Sequence, residues 1–178
     1  MSRKISLLGA EGAQALSLLA RLDAAELLLV GPGAGALADE TAETVAHADS
    51  RRRVHGSEDP GDLRGSAVVV LARAASDAEL RALARTAPDA VLVVAGGDVV
   101  AECGRVLDVT ALPRPRVVGV ASAAGPVEGS VEIAAAVYLD RGRMLRCVAR
   151  CQGEAGLQGV HAVRARVGAG GVTEILGS

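Results

Sequence analysis

Near the start of the chain, Gly9-Ala10-Glu11-Gly12-Ala13-Gln14 stands between an apolar run and a segment of helical spacing. Glycines placed between a buried strand and a helix let backbone N–H groups approach an anion at the positive end of that helix. The full dinucleotide pattern is G-x-G-x-x-G, and here the second and third glycine positions are Glu11 and Gln14. Glu11 satisfies the helix terminus with its own charge and repels a pyrophosphate, at a cost of about 2–4 kcal/mol for a partly buried like-charge contact. A second grouping is Glu11, Gln14, Arg73, Asp98 and Ser122, all at the carboxyl ends of apolar runs, where a parallel sheet places its ligands. Carboxylates beside an arginine in such a crevice could do acid–base work without a cofactor.

Other reactive residue types point to packing. Cys147 and Cys151 lie four apart in an alternating segment and share a face with Leu145 and Ala149, so they read as buried free thiols. C-x3-C with a later His161 lacks the usual metal spacing and a fourth ligand, and no metal site is expected. His47 falls in a helical pattern, His55 at the end of a short strand, and His161 in phase with Val163, Ala165 and Val167 as a partly buried structural histidine. Arginine is concentrated late in the chain. Period two sets Arg146 and Arg150 on one face and Arg164 and Arg166 on one face of the next strand. Such a surface is either a solvated outer face or a docking face for carboxylates.

The elements that must carry these residues alternate in type. Ile5–Leu8, Leu27–Val30, Ala67–Leu71, Ala90–Ala95 and Arg116–Val120 are short Val- and Leu-rich runs that predict buried strands. Ala13–Leu22, Leu37–Ala48, Asp77–Thr86 and Val99–Leu107 have helical spacing, and Ser76 with Glu79 predicts a capping box. Continuous apolar strands joined by helices predict an α/β fold: a Rossmann-like parallel sheet with helices on both faces. After the small-residue junction Ala121–Ser130 comes a helix over Val131–Leu139. Leu145–Cys151 and Val160–Val167, separated by Gln152–Gln158, then predict a C-terminal antiparallel hairpin. The expected units are 1–125 and 126–178, packed together.

The chain has 178 residues, is half apolar, has Tyr138 as its one aromatic residue and carries a net charge of −2. Without aromatic platforms or positive charge, nucleic-acid binding is not expected. Asp98, Glu128 and Glu132 interrupt the long apolar stretches, so no membrane span is expected. Three cysteines and no secretory leader pattern predict a cytoplasmic protein.

The order "RKISLLGAEG", "ELLLVG", "GSAVVVLA", "PDAVLVVAGGD", "PRPRVVGVAS" resembles the Rossmann half of the lactate/malate dehydrogenase superfamily. The tail "GLQGVHAVRARVGAGGVTEIL" is similar to that family's C-terminal strands, with Gly168–Leu176 the most specific part. The resemblance covers nearly the whole chain around a large internal gap. It implies an inherited cofactor crevice, but the positions that serve it are changed. Gly9 survives, Glu11 and Gln14 stand at the other two glycine positions with Gly12 between them, Gly31 stands where an acidic residue holds the ribose, and Gly96-Gly97-Asp98 replaces the Asn-rich motif. The arginine-bearing loop is reduced to Arg73–Leu80, and the segment with the catalytic Asp, Arg and His is missing. The resemblance therefore implies a malate dehydrogenase-like pseudoenzyme without cofactor or catalytic residues, serving as a structural subunit of a homo-oligomer or of a complex with a protein partner. Ala36–Ala48 and Val131–Leu139 are its implied contact helices. The alternatives from other classes are a cofactor-independent lyase, isomerase or cyclase using the old crevice, and a nucleotide-sensing module.

Overall fold

A computed structural model describes residues 4–9, 12–22, 26–46 and 53–177; Glu11 and His47 lie outside the described residues. The strands are β1 (Lys4–Leu8), β2 (Glu26–Val30), β3 (Arg53–Ser57), β4 (Ser66–Leu71), β5 (Val91–Val94), β6 (Val117–Val120), β7 (Arg143–Gln152), β8 (Gln158–Gly168) and β9 (Gly171–Gly177). They form one sheet in the order β3-β2-β1-β4-β5-β6-β7-β8-β9. The first six are parallel, in the doubly wound order 3-2-1-4-5-6, and the rest are antiparallel. The helices are α1 (Gly12–Arg21), α2 (Ala34–Ala46), α3 (Asp77–Thr86), α4 (Val99–Thr110) and α5 (Pro126–Tyr138).

Period two in each strand sends alternate residues to two cores. Ile5, Leu7, Val68, Val70, Val91 and Val93 pack with α1, α2 and α5. Leu8, Val69, Leu71, Leu92 and Val94 pack with α3 and α4. The α3 start is the predicted capping box: Glu79 N donates to Ser76 Oγ at 3.3 Å and Ser76 N donates to Glu79 Oε2 at 2.7 Å. Between β1 and β4 the buried Ser6 and Ser66 hydroxyls bond each other at 2.7 Å, so two polar groups inside the sheet are satisfied.

Four expectations change in detail. The short strand assigned to His55 runs on to Ser57, which puts His55 inside β3 and makes β3 the edge of the parallel sheet. The expected hairpin is three-stranded, because the tail from Gly171 pairs with β8. Helix α5 begins at Pro126, within the supposed junction, since Gly125 at φ +96 and Pro126 start it together. Its residues Val131, Ile133 and Ala134–Val137 are buried within the chain, so most of the expected contact helix faces the core, and Leu139 at its end is exposed.

Strand β9 is seated by one close contact. Gly171 has φ +89, and a Cβ built on it would lie 1.9 Å from the Pro115 carbonyl oxygen. Gly170, beside it, has nothing within 4 Å. Gly171→Ala therefore forces both a left-handed alanine and a backbone clash, at a cost of about 2–4 kcal/mol. Thermal unfolding should show a Tm lowered by roughly 5–15 °C, with Gly170→Ala nearly unchanged; equal melting of the two variants contradicts this seating.

Candidate functional site

The carboxyl ends of β4, β5 and β6 enclose a cleft of about 430 Å³, lined by Gln14, Ala95, Gly96, Val120, Ser122 and the start of α5. It lies at the end of the sheet where doubly wound folds hold ligands. Of the residues singled out from sequence, Gln14 and Ser122 line this cleft, whereas Arg73 and Asp98 do not.

Each of these side chains already has local work. Asp98 is the N-cap of α4, its Oδ1 accepting from Val100 N and Ala101 N, both at 3.2 Å. Ser122 Oγ accepts from Ala124 N at 3.2 Å in the loop before α5. Gln14 is buried, and its Nε2 donates to Ser130 Oγ at 3.2 Å while Ser130 donates to Val127 O at 2.8 Å. The third fingerprint position is thus a strut between α1 and α5. Among the described residues, Gln14 Oε1 is a buried side-chain oxygen without a hydrogen-bond partner.

Arg73 crosses the β1 turn. A Cβ built on Gly9 would meet the Arg73 side chain at 2.5–2.8 Å, so the arginine stem lies directly over the first fingerprint glycine. Its guanidinium is gripped by Glu79, with Nη2 donating to Oε1 at 2.6 Å and Nη1 to Oε2 at 3.3 Å, and Nη1 also donates to Ala74 O at 3.0 Å. Gly9 N donates to Val30 O at 3.1 Å and Gly31 N to Ser57 O at 3.0 Å, so both backbone donors are spent inside the sheet. Beside Gly31 a niche of only about 40 Å³ remains, lined by Gly9, Pro32, Ala34 and Leu37.

The Arg73 guanidinium, with help from Ser76, holds the Glu79 carboxyl down at about 2, and Glu79 in turn raises Arg73. Sequence reasoning found Glu79 as a helix cap but missed it as the holder of Arg73. The short R-x5-E spacing after β4 carries that signal only once α3 is known to fold back over the turn.

The hairpin arginines divide. In the β7–β8 register Arg146 stands directly opposite Arg164, on the sheet face that holds Val148 and Val160. Arg150 bonds Asp108 of α4 at 3.2 Å, and Arg166 bonds Glu174 of β9 at 3.2 Å. Away from the cleft, Arg114 bonds Glu154 at 2.6 Å, and Glu154 is lowered to about 2, first by backbone N–H groups and then by Arg114. Cys103, Cys147 and Cys151 are buried and free; burial pushes the first two up to about 12, where they are poor nucleophiles. His161 is half-buried, its Nε2 2.5 Å from Gln158 O. Among the described residues no cluster of three His, Cys, Asp or Glu could hold a metal, and no helix is long and apolar enough to cross a membrane.

Sheet order, helix placement and the position of the cleft define a doubly wound dinucleotide-type fold with an antiparallel extension. The chain has the architecture of the lactate and malate dehydrogenases. It is similar to the lactate dehydrogenase of Cryptosporidium parvum complexed with lactic acid and nicotinamide adenine dinucleotide, with a TM-score of 0.89 and 16% identity, covering 100% of this chain and 90% of that one. It is also similar to the malate dehydrogenase of Aeropyrum pernix, with a TM-score of 0.87 and 20% identity, covering 98% and 90%. The malate dehydrogenase of Archaeoglobus fulgidus in complex with NADH gives 0.87 and 17%, covering 98% and 92%. No family model and no curated protein matches the sequence. The resemblance read from the motifs therefore holds at the level of the fold.

The Glu79 carboxylate has a depressed folded value, so its stabilisation is full above the ordinary carboxylate range, near 4.5, and is lost as pH falls towards 2. Glu79→Gln should lose about 1–2 kcal/mol at neutral pH through the weakened cap and the lost ion pair. Urea unfolding of both proteins from pH 7 to pH 2 should show the gap closing within that acid window. A gap that persists at pH 2 contradicts the pairing.

Proposed function

We propose that this chain is a malate dehydrogenase-like pseudoenzyme: a non-catalytic, structural or interaction subunit of a homo- or hetero-oligomeric assembly. The observation that carries this reading is the Arg73 side chain over Gly9, clamped by Glu79. A pyrophosphate needs that surface as bare backbone.

A dinucleotide does not fit the residues present. Gln14 fills the third glycine position and is tied to Ser130, and the niche beside Gly31 is closed down to about 40 Å³. Hydride transfer needs a cofactor, a proton carrier and a carboxylate clamp. The described candidates for the last two, Asp98 and Arg73, are committed to a helix cap and an ion pair. What the crevice gives up in chemistry is retained as rigidity, since α1, α5 and the β4–α3 turn are cross-linked through these side chains.

A cofactor-independent enzyme is the second reading, and the 430 Å³ cleft with Gln14 and Ser122 on its wall is what favours it. It requires a small-molecule reaction abolished by Ser122→Ala with folding intact.

The test uses the protein purified from its native host. Light scattering is expected to show an assembly larger than the monomer, alone or with a co-purifying protein. Oxidation of lactate or malate with NAD is expected to stay at background. An isolated monomer, or turnover above background that is lost in a Gln14 variant, overturns the proposal.

A further inference from the structure

Two exposed clusters of like charge stand towards opposite ends of the nine-stranded sheet. At the β3 end, α2 presents Asp39, Glu40 and Glu43 to solvent, and none of the three carboxylates has an ion-pair partner among the described residues. At the other end, Arg146 and Arg164 are exposed, stand opposite each other in the β7–β8 register, and likewise have no acidic partner among the described residues. Arg166, two residues along the same face, shares its charge with the single carboxylate Glu174. Like charges directly opposite on neighbouring strands are destabilising. Among the described residues the pair has no compensating carboxylate, which a partner could supply.

The apolar exposure lies beside these arginines. Met144, opposite Arg166, is 40% exposed, and Leu176 on β9 is 51% exposed. Exposed apolar side chains on β7 and β9 thus flank the arginines of β8, and Met and Arg are residue types enriched at interfaces. Arg150 does not belong to it, being held by Asp108.

We propose that this face, Met144, Arg146, Arg164, Arg166 and Leu176, docks on the Asp39, Glu40 and Glu43 face of α2 in a second copy of the chain. The proposal rests on the interaction-subunit reading and specifies its partner. Two copies joined α2 to α2 would set carboxylate against carboxylate, and two joined ribbon to ribbon would set arginine against arginine. Only the head-to-tail contact is complementary, and such a heterologous contact builds a ring or an open chain. Because the charges are exposed, the contact weakens with salt.

Sedimentation velocity of the full chain tests this at about 50 mM and about 500 mM salt, around the range where screening lengths fall from over 10 Å to below 5 Å. Oligomers are expected at low salt, with association weakened at least about tenfold at high salt. Arg146→Glu with Arg164→Glu, and separately Asp39→Lys with Glu43→Lys, should each give monomers with the wild-type melting profile. Mixing the two variants restores opposite charge at both contacts and should restore assembly. Monomeric wild type at low salt, variants that assemble as wild type does, or a mixture that stays monomeric overturns the proposal. Capture of a different acidic protein by a monomeric wild type also overturns it, and leaves the interaction-subunit reading standing.

Discussion

Close approach of small residues is the constraint on which this structure depends. A chain without Phe or Trp cannot fill the space between sheet and helices with rings, so its layers must come nearer together. A Cβ on Gly56 would lie 2.3 Å from the Ala34 carbonyl oxygen, where β3 meets the start of α2. On Gly96 it would lie 2.6 Å from the Ala72 carbonyl oxygen, where β5 meets the end of β4. On Gly119 it would run into Val99, Cys103 and Val148 at once. Gly96 also lines the cleft at the carboxyl ends of the strands.

At the crevice, too, side chains meet at close range. In a wide crevice, Gln14 and Arg73 would be two polar side chains at the edge of a ligand site. In this one, Gln14 reaches across to Ser130 of α5, and Arg73 lies in contact distance of Gly9. Glu79 then serves two structures with one carboxylate, closing the cap of α3 and holding the guanidinium above the turn. At this side of the sheet the polar side chains thus act as internal braces. At the two ends of the sheet, by contrast, Asp39, Glu40 and Glu43 of α2 and Arg146 and Arg164 of the ribbon have no ion-pair partner among the described residues.

Much of this was legible in the sequence, and the misses have physical reasons. Buried parallel strands such as Val68–Leu71 and Val91–Val94 are unbroken apolar runs because both faces are covered, and they read clearly. The capping box of α3 is local chemistry within four residues, and it also read clearly. Strand β3 is an edge of the sheet with Val54 as its one strongly apolar residue, so its full length showed only through its pairing with β2. The start of α5 was hidden by small residues that resemble a loop, although Gly125 before Pro126 is a legitimate helix opening. At the crevice, the lost glycines were visible, but the fates of the side chains were not. The Arg73 contact with Gly9 joins residues 64 positions apart and depends on the β1–β4 pairing. The Gln14–Ser130 bond depends on α5 returning to pack on α1.

Arg73 covers the Gly9 turn and Gln14 ties α1 to α5, and amide NMR during a titration with NADH tests this occupancy most directly. The account predicts that the Gly9, Gly31 and Gly97 amides keep their shifts up to millimolar NADH. Saturable shifts at Gly9 and Gly31, with a Kd below about 1 mM and hence a binding free energy beyond about −4 kcal/mol, would contradict it.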